Sequence, residues 1–71
     1  MSDVIQSNPN VMGGTPVFRG TRVPVQTLFD YLEAGDPIPE FLDDFPSVSK
    51  EQVKKLLADV AADLIASTKA A

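Results

Sequence analysis

Any catalysis by this chain must be built from carboxylates, hydroxyls, lysines and arginines, because its 71 residues include neither histidine nor cysteine. That composition removes the commonest general base and metal ligand and every thiolate nucleophile. Residue types capable of chemistry concentrate in three places. The stretch "GGTPVFRGTRVPV", residues 13–25, holds both arginines and three of the four glycines. Residues 30–44 hold six acids (Asp30, Glu33, Asp36, Glu40, Asp43 and Asp44) and no base. "SKEQVKK", residues 49–55, carries three of the four lysines.

Each concentration suggests a chemistry that its spacing can exclude. A phosphate loop needs two glycines with four residues between them, the second followed by Lys and Ser/Thr. Gly14 and Gly20 are separated by five residues, Thr21 stands where the lysine belongs, and Pro24 cuts the segment off from the following helix. A dinucleotide fingerprint needs a βαβ unit that does not fit in this length. Glu40, Asp43 and Asp44 suggest a carboxylate pair or a metal site. They read better as the solvated side of a helix whose other side is Ile38, Phe41, Leu42 and Phe45. With no nucleophile–base set, no enzyme activity, cofactor or metal is expected.

The positioning elements follow from periodicity. Val25, Leu28, Phe29 and Leu32 form one apolar stripe of a helix entered at Pro24 and stopped at Gly35. A second, short helix is expected over Pro37–Phe45, capped by Asp36 with Pro37 in its first turn, and ended by Pro46. Ser49 and Gln52 make a capping-box pattern for a third helix. Its apolar face is Val53, Leu56, Leu57, Val60, Ala61, Leu64 and Ile65, and its "STKAA" end is expected to fray. Ala58, Ala62 and Ala66 recur on the opposite face, either as helix formers or as a close-packing surface. Upstream, "VIQS" and "TPVFRG" are the strand-like runs, with "NPNVMGG" as turn chemistry between them. The expected organisation is one mainly helical domain, with a β arm over 1–23, a helical part over 24–68 and a frayed tail over 69–71. Strands this short must pair with the helices or with a second chain. A domain this small also gains stability by oligomerising, so a homodimer through Val4, Ile5, Val17 and Phe18 is expected.

Helix two, the turn "FPSV" and helix three have helix-turn-helix proportions. The net charge of −4 argues against indiscriminate nucleic-acid binding. Locally, however, acidic helix two would be repelled by phosphates, whereas helix three opens with Lys50, Gln52, Lys54 and Lys55. If DNA is contacted, the expected residues are Ser47, Ser49, Lys50, Gln52 and Lys54, helped by Arg19 and Arg22. The plainer alternative is an ordinary helix start with solvated lysines. No run is long enough to span a bilayer, and the first ten residues lack the pattern of a signal peptide, so a cytoplasmic, non-membrane protein is expected.

The segment "NPNVMGGTPVFRGTRVPVQTLFDYLEAG", followed by "FLDDFPSVSKEQV", resembles the small bacterial proteins of domain-of-unknown-function family 433. The Gly-Thr-Arg segment between two Pro-Val pairs is the most specific part. Thr15 departs from a frequent lysine and Ala34 from a common glycine. The resemblance implies a homeodomain-like three-helix domain with a short N-terminal β element. It also implies the antitoxin of a type II toxin–antitoxin pair. Such a protein blocks a PIN-like ribonuclease toxin and, as a dimer, represses its own operon by binding operator DNA. In that setting Gly13-Gly14 turns the chain and Gly20-Thr21-Arg22 bends it toward helix one. Arg22 is expected to be structural, paired with Asp30 or Asp44, or to touch DNA. A pure protein-interaction module without DNA binding is the alternative.

Overall fold

The computed structural model describes residues 2–10 and 12–70. Strand β1 (Ile5–Gln6) pairs antiparallel with β2 (Val17–Phe18), Ile5 opposite Phe18 and Gln6 opposite Val17. Helices α1 (Val25–Glu33), α2 (Ile38–Asp44) and α3 (Lys50–Ala70) follow. The molecule is therefore mainly helical, with three helices and a short N-terminal β hairpin, as the periodicities require.

A tight turn presents β2 to the helices. Gly20 takes φ +78, a left-handed value that favours glycine. The Thr21 hydroxyl donates to the Phe18 carbonyl (2.8 Å) and accepts from Val23 N–H (3.0 Å). Phe18 N–H then donates to the Val23 carbonyl and Val25 N–H to the Pro16 carbonyl, both at 3.0 Å. With these bonds on one side and β1 on the other, the short strand has backbone partners along both edges. It delivers Phe18, fully buried, into a core with Leu28, Phe41, Val53 and Leu56. Burying each of these large side chains stabilises the fold by about 1.5–3 kcal/mol.

Val17 is buried as well, at 4% exposure. Val17 and Phe18, two of the four residues expected at a dimer contact, are thus largely covered by their own chain. The strands are short, but helices of the same chain complete them. Val4 and Ile5 are half-buried against the same core.

Helix α1 ends as its sequence dictates. Gly35, at φ +85, donates to the Leu32 carbonyl and Asp36 N–H to the Tyr31 carbonyl (3.1 and 2.9 Å), the paired bonds of a glycine-terminated helix. Helix α2 starts one residue later than expected. Its N-cap is Pro37, extended at φ −75 and ψ 153, and no side chain caps it; Asp36 does not fill that role. Proline tolerates this first turn because no amide proton is missed. An aromatic group ties α1 to α2: Tyr31 meets Phe41 and Phe45 edge-on, with centroids 5.4 and 5.9 Å apart. Buried Val48 anchors the turn into α3.

Helix α3 runs to Ala70, through most of the stretch expected to fray; residue 71 of the expected tail lies outside the described residues. At 1.5 Å per residue its 21 residues span about 31 Å, much of the largest dimension of 37 Å. Only its first half packs: Val53 and Leu56 are buried, whereas Val60, Leu64 and Ile65 are 41%, 66% and 55% exposed. No helix among the described residues is long and apolar enough to cross a membrane.

Candidate nucleic-acid interface at the start of helix α3

Ser49 and Gln52 cap α3 reciprocally. Gln52 N–H donates to Ser49 Oγ and Ser49 N–H to Gln52 Oε1, each at 3.0 Å. The other end of the Gln52 amide is also engaged, because Nε2 donates to the Arg19 carbonyl at 3.0 Å. Gln52 is therefore the clip between α3 and the end of β2. Both ends of this amide, at a residue expected to read bases, are engaged within the chain. Ser49 serves the same cap. Ser47 is exposed and, among the described residues, makes no hydrogen bond.

The two arginines, both expected to help with DNA and Arg22 alternatively to be structural, differ in their bonding. Arg19 Nε donates to the Asp3 carbonyl (2.6 Å) and an outer nitrogen to the Ile5 carbonyl (3.1 Å), tying β2 to the N-terminal segment. Arg22 is exposed and has no bonded partner among the described residues. It pairs with neither expected acid: Asp30 accepts from Gln26 Nε2 (3.0 Å) and Asp44 from the Tyr31 hydroxyl (2.6 Å). The turn before α1 is held by bonds of the Thr21 hydroxyl and of the backbone around it.

The opening turns of α3 lie between two depressions. One, of about 370 Å³, is lined by Gln6, Asn8, Thr15, Val17, Gly20, Thr21, Arg22 and Ser47. The other, of about 440 Å³, is a mainly apolar groove between α2 and α3, where Ile38, Pro39, Leu42 and Val53 are flanked by Asp43, Lys50 and Lys54. Lys50 and Lys54 are exposed and form no ion pair among the described residues. Lys55 does, with Asp59 at 3.0 Å, and that carboxylate raises the Lys55 pKa. Asp59 in turn is held below the usual carboxylate range, first by the Ser2 hydroxyl and then by Lys55.

On α2 the charges crowd. Asp36 beside Glu40 raises the Glu40 pKa, with burial and the neighbouring acids adding to it. The hydrogen bond to Asp44, helped by burial and that carboxylate's charge, pushes the Tyr31 phenol up to about 12. The acids thus crowd on α2, whereas Lys50 and Lys54, without an ion pair among the described residues, stand at the start of α3.

Arg19 as a tie, and the cleft wall formed by Gln6, Asn8 and Thr15, escape a reading of the sequence alone. The pairing register of two-residue strands is set by the packing of Phe18, which no local pattern reveals. The local signals are an Arg-Gly pair closing a strand and the "NPN" turn.

The family model described as "Protein of unknown function (DUF433)" matches residues 5–58. The chain belongs to the DUF433 family. A DUF433 member protein from Anabaena variabilis has a crystal structure that superposes with a TM-score of 0.70 at 34% identity, covering 83% of this chain and 58% of that one. The uncharacterized protein y4eO of Sinorhizobium fredii is 38% identical over 61 residues, covering 86% of this chain but 27% of y4eO. The chain thus spans about a quarter of that relative's length. The DUF433 match takes in the strands, α1, α2 and the packed half of α3, and stops before Val60, Leu64 and Ile65.

Proposed function

We propose that this DUF433 chain is a non-catalytic, antitoxin-like protein that contacts operator DNA with the opening turns of α3 and a PIN-like ribonuclease toxin with its projecting later turns. One observation carries the reading. Of the six basic residues, Arg19 and Lys55 are bonded within the chain and Lys69 stands at the far end of α3. The other three, Arg22, Lys50 and Lys54, surround its first turns. Unpaired cations at the start of the second helix of a helix-turn-helix suit phosphate contact. The remote apolar residues suit a protein partner.

Two copies on an inverted repeat would place two α3 starts about one helical turn of DNA apart. Of the four strand residues expected at a dimer contact, Val4 and Ile5 keep some exposed surface. Footprinting on the region upstream of the protein's own gene tests the DNA part. Two protected half-sites about 10 base pairs apart are expected, and absence of protection contradicts it. The apolar groove between α2 and α3 favours the second reading, a protein-interaction module alone, and that reading predicts no footprint.

A further inference from the structure

The cleft beside Arg22 has a chemical polarity that the fold itself creates. It is lined by five side chains with neutral polar groups, one guanidinium and no carboxylate, in a chain with ten acids. Internal bonds then use up its acceptors selectively. The Asn8 Oδ1 accepts from Asn10 N–H at 2.9 Å, and the Gln6 Oε1 accepts from Gly20 N–H at 3.1 Å. These bonds fix which end of each amide faces the backbone and leave the two NH₂ groups as donors. The Thr15 hydroxyl proton goes to the Met12 carbonyl and that of Thr21 to the Phe18 carbonyl. What remains uncommitted among the described residues is the Asn8 and Gln6 NH₂ groups, the Arg22 guanidinium and the Ser47 hydroxyl.

We propose that this cleft is an oxyanion site that takes a phosphate group. Four donor-bearing side chains, one cationic, converge from different directions, and the oxygens of a phosphate group, arranged tetrahedrally, can meet more of them than the two coplanar oxygens of a carboxylate. The volume of about 370 Å³ is within the range of small-ligand clefts and larger than inorganic phosphate needs, so the ligand is a phosphate ester. Its source is a mononucleotide or the backbone of a nucleic acid. The proposal does not depend on the antitoxin reading, because a mononucleotide would satisfy it without any operator.

The test is a titration of the ¹⁵N-labelled full chain with inorganic phosphate, adenosine monophosphate, a 12-base-pair duplex and, as a control, acetate. Saturable shifts are expected in the Asn8 and Gln6 side-chain amides and in the Arg22 Nε–H. Saturation by adenosine monophosphate marks a small-ligand site, and saturation by the duplex alone marks the nucleic-acid backbone. Arg22→Gln should weaken binding by about tenfold or more. Asn8→Asp keeps the acceptor for Asn10 N–H, so the turn survives, while a donor becomes a negative charge; it should abolish binding in a folded protein. No saturable shift with any phosphate, an equal response to acetate, or unchanged binding in folded Asn8→Asp overturns the proposal. Cleft binding without any footprint on the upstream region would retire the operator reading and leave the site standing.

Discussion

Gln52 reaches across thirty-three positions of sequence to donate a hydrogen bond of 3.0 Å to the Arg19 carbonyl. The same side chain closes the cap of α3 through Ser49. One amide therefore holds the helix start, the end of β2 and the edge of the Arg22 cleft in a fixed relation. Gln52→Ala should cost about 1–2 kcal/mol in chemical denaturation, from a broken cap and an orphaned carbonyl. Gln52→Glu keeps the acceptor for Ser49 N–H and loses the donor to Arg19, so it should fall between. Lys54→Ala, at an exposed site, should stay within about 0.5 kcal/mol of the parent.

Arg19 and Arg22 should separate in the same assay. Arg19→Ala removes two bonds to backbone carbonyls of the N-terminal segment and should lower stability by about 1 kcal/mol, since the site is solvent-exposed. Arg22→Ala removes no internal bond and should shift stability by less than about 0.5 kcal/mol. Equal losses would mean that Arg22 carries structural weight after all.

Tyr31 is the single tyrosine, so ultraviolet titration reports it alone. Its midpoint should lie at about 12 rather than 10, and Asp44→Asn should bring it back toward 10. The sign follows from the raised value: folding favours the neutral phenol. Its contribution is fully present below pH 10 and is lost as pH rises through about 12. A midpoint near 10 in the parent protein would remove the Asp44 bond from the account.

These residues also show what a sequence discloses. The Ser49–Gln52 cap, the Gly35 stop and the apolar stripes were legible because each depends on neighbours within four residues. The arginine roles were not, because they depend on which carbonyls a two-residue strand brings near. Asp36 has the residue type of an α2 cap, yet the extended backbone at Pro37 takes that position and leaves Asp36 against Glu40. The apolar face of α3 was legible along its length. That its second half finds nothing in its own chain to cover it depends on the size of the body, which periodicity does not report.

That uncovered half yields a prediction about the partner. Leu64→Glu with Ile65→Glu places charge where both side chains are more than half exposed, so the fold should be unchanged by circular dichroism. With the PIN-like ribonuclease as the partner, inhibition of its RNA cleavage should fall by about tenfold or more, since buried hot-spot residues commonly carry about 2 kcal/mol or more each. Full inhibition by the folded double variant would move the partner surface to the α2–α3 groove.

The central claim, DNA contact by the start of α3, is tested most directly by the salt dependence of binding to the upstream region, read by fluorescence anisotropy for the parent and for Lys50→Ala with Lys54→Ala. Each phosphate that a chain no longer neutralises should lower the slope of log K against log salt by about one unit. The expected result is a folded double variant that binds more weakly, with a slope reduced by about two units per chain. A folded double variant with the parent's affinity and slope would contradict it, as would a parent protein that does not bind this DNA at all.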